Sequence, residues 1–251
     1  MIEIDAKIFE EFVDKLTLNG TIGTCIIETD KNSMYSRVNT KDNILFSKVV
    51  IPKKVFNTFE EGVKISLGEV ENFSDVDLLR KALKNYTGKL KMQVEDGMLR
   101  LECGDDNAQI TLTADEFVTN HAAKEPDFKF DSGFTLETQQ LKKVVNNIST
   151  LTTKDDTPSV LVEVKDGMCY CVVSRDDNKL LSKVKVEYKD GSFQLNGRYF
   201  TQITNAIGEK ANISFELNMP IRIVEKVDKL NVTYIVAPIV KDLEEKEEKK
   251  K

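Results

Sequence analysis

The fold follows from one stretch near the middle of the chain, Gly133-Phe134-Thr135-Leu136-Glu137-Thr138-Gln139-Gln140-Leu141-Lys142-Lys143-Val144-Val145-Asn146-Asn147-Ile148. Its first apolar residues, Phe134 and Leu136, alternate with other residues, which is the period of a β-strand. The later apolar residues then recur at intervals of three, one and three residues, so they share one face of a helix. The stretch therefore predicts a short strand that is followed at once by an amphipathic helix.

The same helix pattern occurs four times in the chain. Its four apolar faces are Phe9, Phe12, Val13 and Leu16, then Leu79, Ala82, Leu83 and Tyr86, then Leu141, Val144, Val145 and Ile148, and finally Phe200, Ile203, Thr204 and Ile207. Three of the helices follow an alternating strand directly. The leading strand of the second helix, around Ile65, lies further upstream. A unit that is used repeatedly describes the architecture of the whole chain.

Each helix is followed by three short strand patterns that are separated by polar turns, which predicts a meander. The predicted strands are 21–29, 34–38, 44–51, 91–94, 98–103, 108–113, 160–164, 168–173, 179–186, 211–217, 221–227 and 232–236. Two of the turns contain Asp-Gly, at Asp96-Gly97 and Asp166-Gly167, and this dipeptide suits a tight hairpin because both central residues take positive φ. The sequence therefore predicts an α+β fold of four βαβββ units with antiparallel sheets.

The segment Val118–Asp131 breaks this pattern and lies between the second and third units. It predicts a connector between two similar domains, spanning 1–117 and 133–240, with the connector at 118–132. After Leu243 the chain contains only Lys and Glu, so residues 241–251 are expected to form a disordered tail.

The composition excludes several classes of protein. With 40% hydrophobic and 31% charged residues, the 251-residue chain is expected to be soluble, and it has no apolar run long enough for a membrane span. No signal peptide is apparent in Met1–Lys7. Cys169 and Cys171 lie two apart and are expected to share the inward face of a strand. With a single histidine in the chain, this pair has poor spacing for zinc, and we expect reduced thiols, no metal and no cofactor.

Two rival functions remain open at this stage. The acidic pairs Asp105-Asp106 and Asp176-Asp177 would suit a metal-dependent nuclease or phosphatase if they converged, but turn residues that face solvent are the simpler interpretation. The second rival is a monomeric β-rich scaffold or processivity protein that does not form a ring. His121 alone, in the connector, does not support a catalytic triad, and no glycine-rich phosphate loop is present, so an enzyme is not expected.

Basic residues lie on the outward face of three of the four helices, although the net charge of the chain is −6. The residue two positions after the first apolar anchor lies about 200° around the helix axis, away from the core. Such outward or flanking positions hold Lys7, Lys15, Arg80, Lys81, Lys84, Lys142, Lys143 and Arg198. The first helix is mixed, because Glu10, Glu11 and Asp14 offset its lysines. The alternative is an ordinary solvated helix face.

At this point the sequence resembles the sliding clamps of the proliferating cell nuclear antigen (PCNA) family. Asn196-Gly197-Arg198-Tyr199-Phe200 resembles the family's Asn-x-Arg-Tyr-Leu, and Thr233–Ile239 resembles its closing strand with Ala-Pro. The length, the four units and the connector are also similar. Tyr35–Thr40 departs from the family's Leu-x-x-Met-Asp, and Asn146 and Asn205 stand where relatives often carry basic residues. The resemblance is thus to a divergent clamp, with archaeal and viral types as candidates.

The resemblance implies a homotrimeric ring that encircles double-stranded DNA without sequence preference. It also implies docking of DNA polymerase, a clamp loader and other proteins with a PCNA-interacting (PIP) motif, and work in the nucleus, the nucleoid or a viral replication site. The implied DNA contacts are Lys7, Lys15, Arg80, Lys81, Lys84, Lys142, Lys143, Arg198 and Lys210. The implied peptide groove is Val38, Ile44, Phe46, Pro126, Phe128, Pro220, Ile235, Val236, Ala237 and Pro238. The implied subunit interface is Ala108, Ile110 and Leu112 against Leu180, Leu181 and Val184.

Overall fold

The computed structural model describes residues 1–70, 73–122, 124–130, 133–154, 156–216, 219–227 and 229–239. The predicted tail, 241–251, lies outside the described residues. None of the helices in the described part of the chain is long and apolar enough to cross a membrane.

The described residues form four α-helices, each at a predicted position. They are α1 (Ala6–Leu16), α2 (Asp75–Asn85), α3 (Thr138–Leu151) and α4 (Gly197–Ala206). Three of them have an N-cap side chain that accepts a hydrogen bond from a backbone amide two or three residues later in the chain. These N-cap residues are Asp5, Ser74 and Asn196. The fourth, α3, begins with a reciprocal capping box between Glu137 and Gln140. A polar cap directly after a short strand explains why each helix begins where it does.

The strands follow the predicted meanders, with ends that differ by a few residues. In chain order they are β1 (Ile2–Asp5), β2 (Cys25–Thr29), β3 (Ser33–Asn39), β4 (Leu45–Pro52), β5 (Lys64–Leu67), β6 (Glu69–Val70), β7 (Phe73–Ser74), β8 (Lys89–Glu95), β9 (Met98–Cys103), β10 (Asp106–Thr111), β11 (Phe134–Glu137), β12 (Ser159–Lys165), β13 (Met168–Arg175), β14 (Asn178–Lys185), β15 (Gly191–Asn196), β16 (Lys210–Ser214), β17 (Ile221–Val227) and β18 (Leu230–Val236). The Asp-Gly prediction is confirmed, because Asp96 and Gly97 have φ of 51° and 71°, and Asp166 and Gly167 have 50° and 72°.

The predicted units interlock in pairs. The strand before α1 pairs with the meander after α2, in the sheet β1-β8-β9-β10, and the strand before α4 pairs with the meander after α3, in the sheet β14-β13-β12-β15. The remaining leading strands, β5 and β11, likewise join the meander of the neighbouring unit. Each leading strand therefore pairs with the meander of a neighbouring unit rather than with the meander of its own unit.

One eight-stranded antiparallel sheet contains strands from both halves of the chain, in the order β11-β16-β17-β18-β4-β3-β2-β5. The two halves meet where β18 pairs with β4, from Asn231 opposite Val50 to Val236 opposite Leu45. At one end of this sheet, the Thr113 amide donates to the Ser66 carbonyl over 3.0 Å and so brings the chain after β10 beside β5. At the other end, Leu136 of β11 shares a cleft with β14. The free edges β10 and β14 therefore lie at opposite ends of the molecule.

A continuous apolar core lies between the helices and the sheets. Cys169 and Cys171 are both buried on the inward face of β13, as the spacing predicts, and all four cysteines are free thiols. Burial raises the pKa of the Cys25 thiol to about 12, so this group stays protonated and acts as a small apolar residue.

Candidate nucleic-acid interface

The four helices form a single layer in the order α2, α1, α4, α3. Helix α1 packs beside α2, and α3 packs beside α4. The two pairs meet where the Lys15 ammonium of α1 donates to the Ala206 carbonyl at the end of α4, over 2.7 Å. The apolar face of each helix is buried and the opposite face is exposed. The outward positions predicted from the sequence therefore share one surface, which we call the helical surface.

The nine predicted DNA contacts divide into two groups according to their partners. Five cations are exposed and belong to no ion pair between described residues: Lys81, Lys84, Lys142, Lys143 and Arg198. They lie on α2, α3 and the first turn of α4. Each keeps its full charge available to an anion that approaches the helical surface.

Lys15 corrects the sequence-based expectation, because it does not reach solvent. Its side chain is 5% exposed, and its ammonium lies 2.6 Å from a carboxylate oxygen of Glu225 on β17, whose side chain is 4% exposed. The other Glu225 oxygen accepts the Gly208 amide over 2.7 Å, and the Tyr234 hydroxyl donates to the Lys15 carbonyl over 2.8 Å. Lys15 is therefore a structural residue that joins the two halves of the chain, and it is not a DNA contact.

The remaining three predicted contacts are partly neutralised. Arg80 is only 15% exposed, and its Nε lies 2.6 Å from Asp14 of the neighbouring helix. Lys7 pairs with Glu10 at 2.7 Å, and Lys210 pairs with Glu137 at 3.2 Å. Arg80 mainly joins α2 to α1, whereas the exposed pairs of Lys7 and Lys210 are weak and can exchange partners.

The outer side of the eight-stranded sheet carries a second candidate site. Phe46 of β4 and Ile235 of β18 lie opposite each other and form an apolar cluster with Ala122, against which Phe128 packs. Both Ala122 and Phe128 come from the connector, so the cluster sits between the sheet and the connector. We call these four residues the connector cluster.

Strand alternation corrects two residues of the predicted peptide groove. Val38 and Val236 are 0% exposed and belong to the main core on the inner side of the sheet. Ile44 also packs against the main core, although it is half-buried. Since successive residues of a strand face opposite sides, the neighbour Ile235 faces the outer side when Val236 faces inward. Pro126, Pro220 and Pro238 are half-buried and Ala237 is exposed.

The connector is held on the sheet by contacts that the sequence pattern missed. The Asn39 amide donates to the Asn120 carbonyl over 2.8 Å, and the Ala122 amide donates to the Arg37 carbonyl over 3.0 Å. Glu125 then pairs with Lys48 at 2.7 Å and with Arg222 at 3.8 Å. Ala122 and Glu125 carry no distinguishing sequence signal, because their roles depend on the strand beneath them.

His121 lies beside these contacts and is held largely neutral. Burial lowers the pKa of its imidazole, and the nearby Arg37 and Lys64 cations act in the same direction. The carboxylate of Glu28, 3.8 Å from Nε2, partly opposes this shift. The connector therefore rests against β3 through an uncharged imidazole at neutral pH.

The acidic pairs that suggested a nuclease do not converge. Asp105 and Asp106 lie at the start of β10, whereas Asp176 and Asp177 lie just before β14, at the other end of the molecule. Within the described residues, no three His, Cys, Asp or Glu side chains are grouped as a metal site would need.

Comparison with known proteins places the fold. No family model matches the chain, and no curated protein matches it by sequence. Among solved structures, PCNA of A. fulgidus, bound to the C-terminal region of FEN-1, superposes with a TM-score of 0.80 at 16% identity, covering 96% of this chain and 100% of that one. PCNA of Entamoeba histolytica gives 0.80 at 14% identity, covering 95% and 99%. The PCNA2–PCNA3 complex of Sulfolobus tokodaii gives 0.73 at 14% identity, covering 95% and 98%. Over nearly its whole length, this chain therefore has the fold of the PCNA sliding clamps.

Proposed function

We propose that this chain is the subunit of a DNA sliding clamp, a ring that encircles duplex DNA and tethers replication and repair proteins to it. The observation that carries the proposal is the single layer of four helices in a protein of net charge −6. Its exposed surface presents five cations that form no ion pair with any residue in the described part of the chain. The rest of the chain is predominantly acidic, so the field that attracts DNA is concentrated on this one surface.

The helical surface is suited to holding DNA loosely. Each lysine or arginine that meets a phosphate contributes salt-dependent binding that is independent of base sequence. The exposed side chains of α3 beside the lysines include Asn146, Ser149 and Thr150, which are neutral and add no charge to the few phosphate contacts. Enclosure would then retain the duplex while the weak contacts leave it free to slide.

Ring closure uses the two free strand edges. Because β10 and β14 lie at opposite ends of the chain, they cannot pair within one copy, and contact between copies is head to tail. Such contacts close into a ring when the rotation between copies allows it, and we propose a homotrimer whose twelve helices line the hole. Each copy then contributes a first domain (1–117), a connector (118–132) and a second domain (133–240).

The connector cluster is the proposed docking site for partner proteins. It combines apolar side chains from the sheet and the connector, which suits a short peptide with an apolar anchor of the PIP type. The A. fulgidus relative was solved with the C-terminal region of FEN-1. We propose that polymerase and the clamp loader bind at this site, that the chain itself is not an enzyme, and that it works in the nucleus, the nucleoid or a viral replication site.

Retention on circular DNA tests the proposal. The protein is loaded on nicked circular DNA, and the bound fraction is measured after washing at about 0.1 M salt and after linearisation. A clamp stays on the circle and leaves once the ends are free. Changing Lys81, Lys84, Lys143 and Arg198 to alanine should lower the fraction of protein loaded on the circle at about 0.1 M salt at least about tenfold, because four phosphate contacts per copy are lost before the ring encloses the DNA.

A matched control variant shows whether the position of the removed charges matters, and not only their number. It changes Lys53, Lys54, Lys91 and Lys165 to alanine, which removes the same charge from exposed positions outside the helices. We expect the fraction of this variant loaded on the circle to be close to that of the unaltered chain. Equal effects of the two variants, or retention that does not depend on circular DNA, would favour the monomeric processivity protein or scaffold instead.

A further inference from the structure

The two free strand edges carry opposite charge. On β14, alternation places Lys179, Leu181, Lys183 and Lys185 on the outer face, where Leu181 is 60% exposed. On β10, the first residues are acidic, since Asp105 and Asp106 lie at its start and Glu102 of β9 lies opposite Asn107. One edge is therefore cationic along its outer face, and the other is anionic at one end.

These charges have no ion-pair partners within the part of the chain that the structure describes. Glu102 lies opposite Lys91 of β8 without forming an ion pair with it, and Arg100 of β9 pairs with Glu95 at 3.1 Å. Glu102, Asp105 and Asp106 are exposed, as are Lys183 and Lys185. Uncommitted charges beside an unpaired strand edge are available to a partner that adds a strand there.

We infer that the contact between copies is keyed by charge, with Glu102 and Asp105 of one copy meeting Lys183 and Lys185 of the next. The inference rests on the proposed ring and specifies how its contacts choose their direction and register. A charged contact gives these edges a preferred register, because apolar side chains alone would leave several registers of similar energy.

The direction of pairing follows from a second pair of acids. Parallel pairing would bring the start of β10 to the start of β14, where Asp176 and Asp177 would face Asp105 and Asp106. Antiparallel pairing instead brings Glu102 and Asp105 to the end of β14, on the same face as Lys183 and Lys185. Since facing like charges are unfavourable and opposite charges attract, the antiparallel arrangement is selected.

The register is limited by the side on which each residue lies. The inward residues of β10 include Ile110, which must meet an inward residue of β14, either Leu180 or Ser182. The first choice places Asn107 opposite Lys183 and Asp105 opposite Lys185. The second places Asn107 opposite Lys185 and Asp105 opposite Glu187, a like charge, so the charges favour the first. With strands about 4.8 Å apart, either lysine can reach across Asn107 to Glu102, which is two strands away.

Both registers place apolar neighbours side by side on the inner face. Ala108, Ile110 and Leu112 of the sequence-predicted interface lie on that side, as do Leu180 and Val184. Leu181 instead faces outward between two lysines, so it belongs to the keyed face. The apolar side contributes affinity and the charged side contributes direction.

Charge reversal with restoration tests the inference. Lys183→Glu with Lys185→Glu, and separately Glu102→Lys with Asp105→Lys, should each weaken self-association at least about tenfold near 0.1 M salt, as judged by analytical ultracentrifugation. The chain with all four changes should regain assembly, because every contact is again between opposite charges. Lys53→Glu with Lys54→Glu is the control for added negative charge and should assemble normally.

The outcomes separate this inference from the proposed ring. If the unaltered chain assembles and retains circular DNA but the reversals have no effect, the charge key is wrong and the ring stands. If the unaltered chain stays monomeric at all salt concentrations, both fail. If the four changes together do not restore assembly, the lysines of β14 meet some other anion, and their pairing with Glu102 and Asp105 is wrong.

Discussion

At the level of single residues, burial decides which charges are available for function. Lys15 and Lys84 are both helix lysines, yet the first is enclosed by Glu225 and the second is exposed. Helical periodicity places a residue on a face of its own helix, but it does not reveal whether another element covers that face. This is why the exposure of Lys143 could be predicted from the sequence alone, whereas Lys15, also predicted to face outward, is buried.

His121 predicts a pH dependence of the connector. Its folded pKa lies below the ordinary 6.5, so the unfolded chain binds the proton more readily. The stabilisation is therefore complete above about pH 6.5 and is lost as the pH falls from there towards the lowered folded value. The free energy of unfolding, measured by urea titration at pH 8 and at pH 5.5, should fall more for the unaltered chain than for His121→Gln. An equal fall in both would contradict the assignment.

At the level of elements, the connector and the sheet together build the proposed docking site. Phe128 packs on the cluster of Phe46, Ala122 and Ile235, whereas its neighbour Phe130 lies outside that cluster. The centroids of the two phenylalanine rings are 6.5 Å apart, so the rings are neighbours although only Phe128 packs on the cluster. Substituting each phenylalanine in turn therefore distinguishes an effect of the connector cluster from a general effect of disturbing the connector.

Phe128→Ala should weaken the binding of a PIP-type peptide at least about tenfold, because it removes an apolar wall of the cluster. Fluorescence anisotropy with a labelled peptide measures this effect. Phe130→Ala is the matched control and should change the dissociation constant by less than about threefold. Self-association should be unchanged in both variants, since neither residue lies on β10 or β14. Equal losses of peptide affinity would place the site elsewhere along the connector.

At the level of the whole molecule, several contacts join the halves of the chain, and two of them matter most for the angle between the halves. One is the strand pair β4 and β18, and the other is the buried ion pair of Lys15 and Glu225. A buried pair is costly to assemble, but breaking it is costlier, because the remaining charge has no partner. The angle between the halves, and with it the closure of a ring, depends on these contacts.

Lys15→Met should therefore lower the free energy of unfolding by about 3 to 5 kcal/mol, since it leaves Glu225 charged and buried. Lys15→Met combined with Glu225→Met should recover much of that loss. Lys54→Met, at an exposed position, should change stability by less than about 0.5 kcal/mol. Chemical denaturation monitored by circular dichroism measures all three. If the double variant is no more stable than Lys15→Met, the unpaired Glu225 carboxylate is not what destabilises the single variant.

Local patterns alone determined the four helices, the meanders and the Asp-Gly turns, because caps, hairpins and the 3.6- and 2-residue periods depend on neighbours a few residues apart. The fold class and the exposed cations of α2, α3 and α4 follow from the same periods. Tertiary structure decided the rest: strand β1 pairs with β8, Lys15 pairs with a residue 210 positions away, and Val236 faces inward while Ile235 faces the connector. These outcomes depend on which surfaces are buried together, and residues far apart in the chain set that jointly.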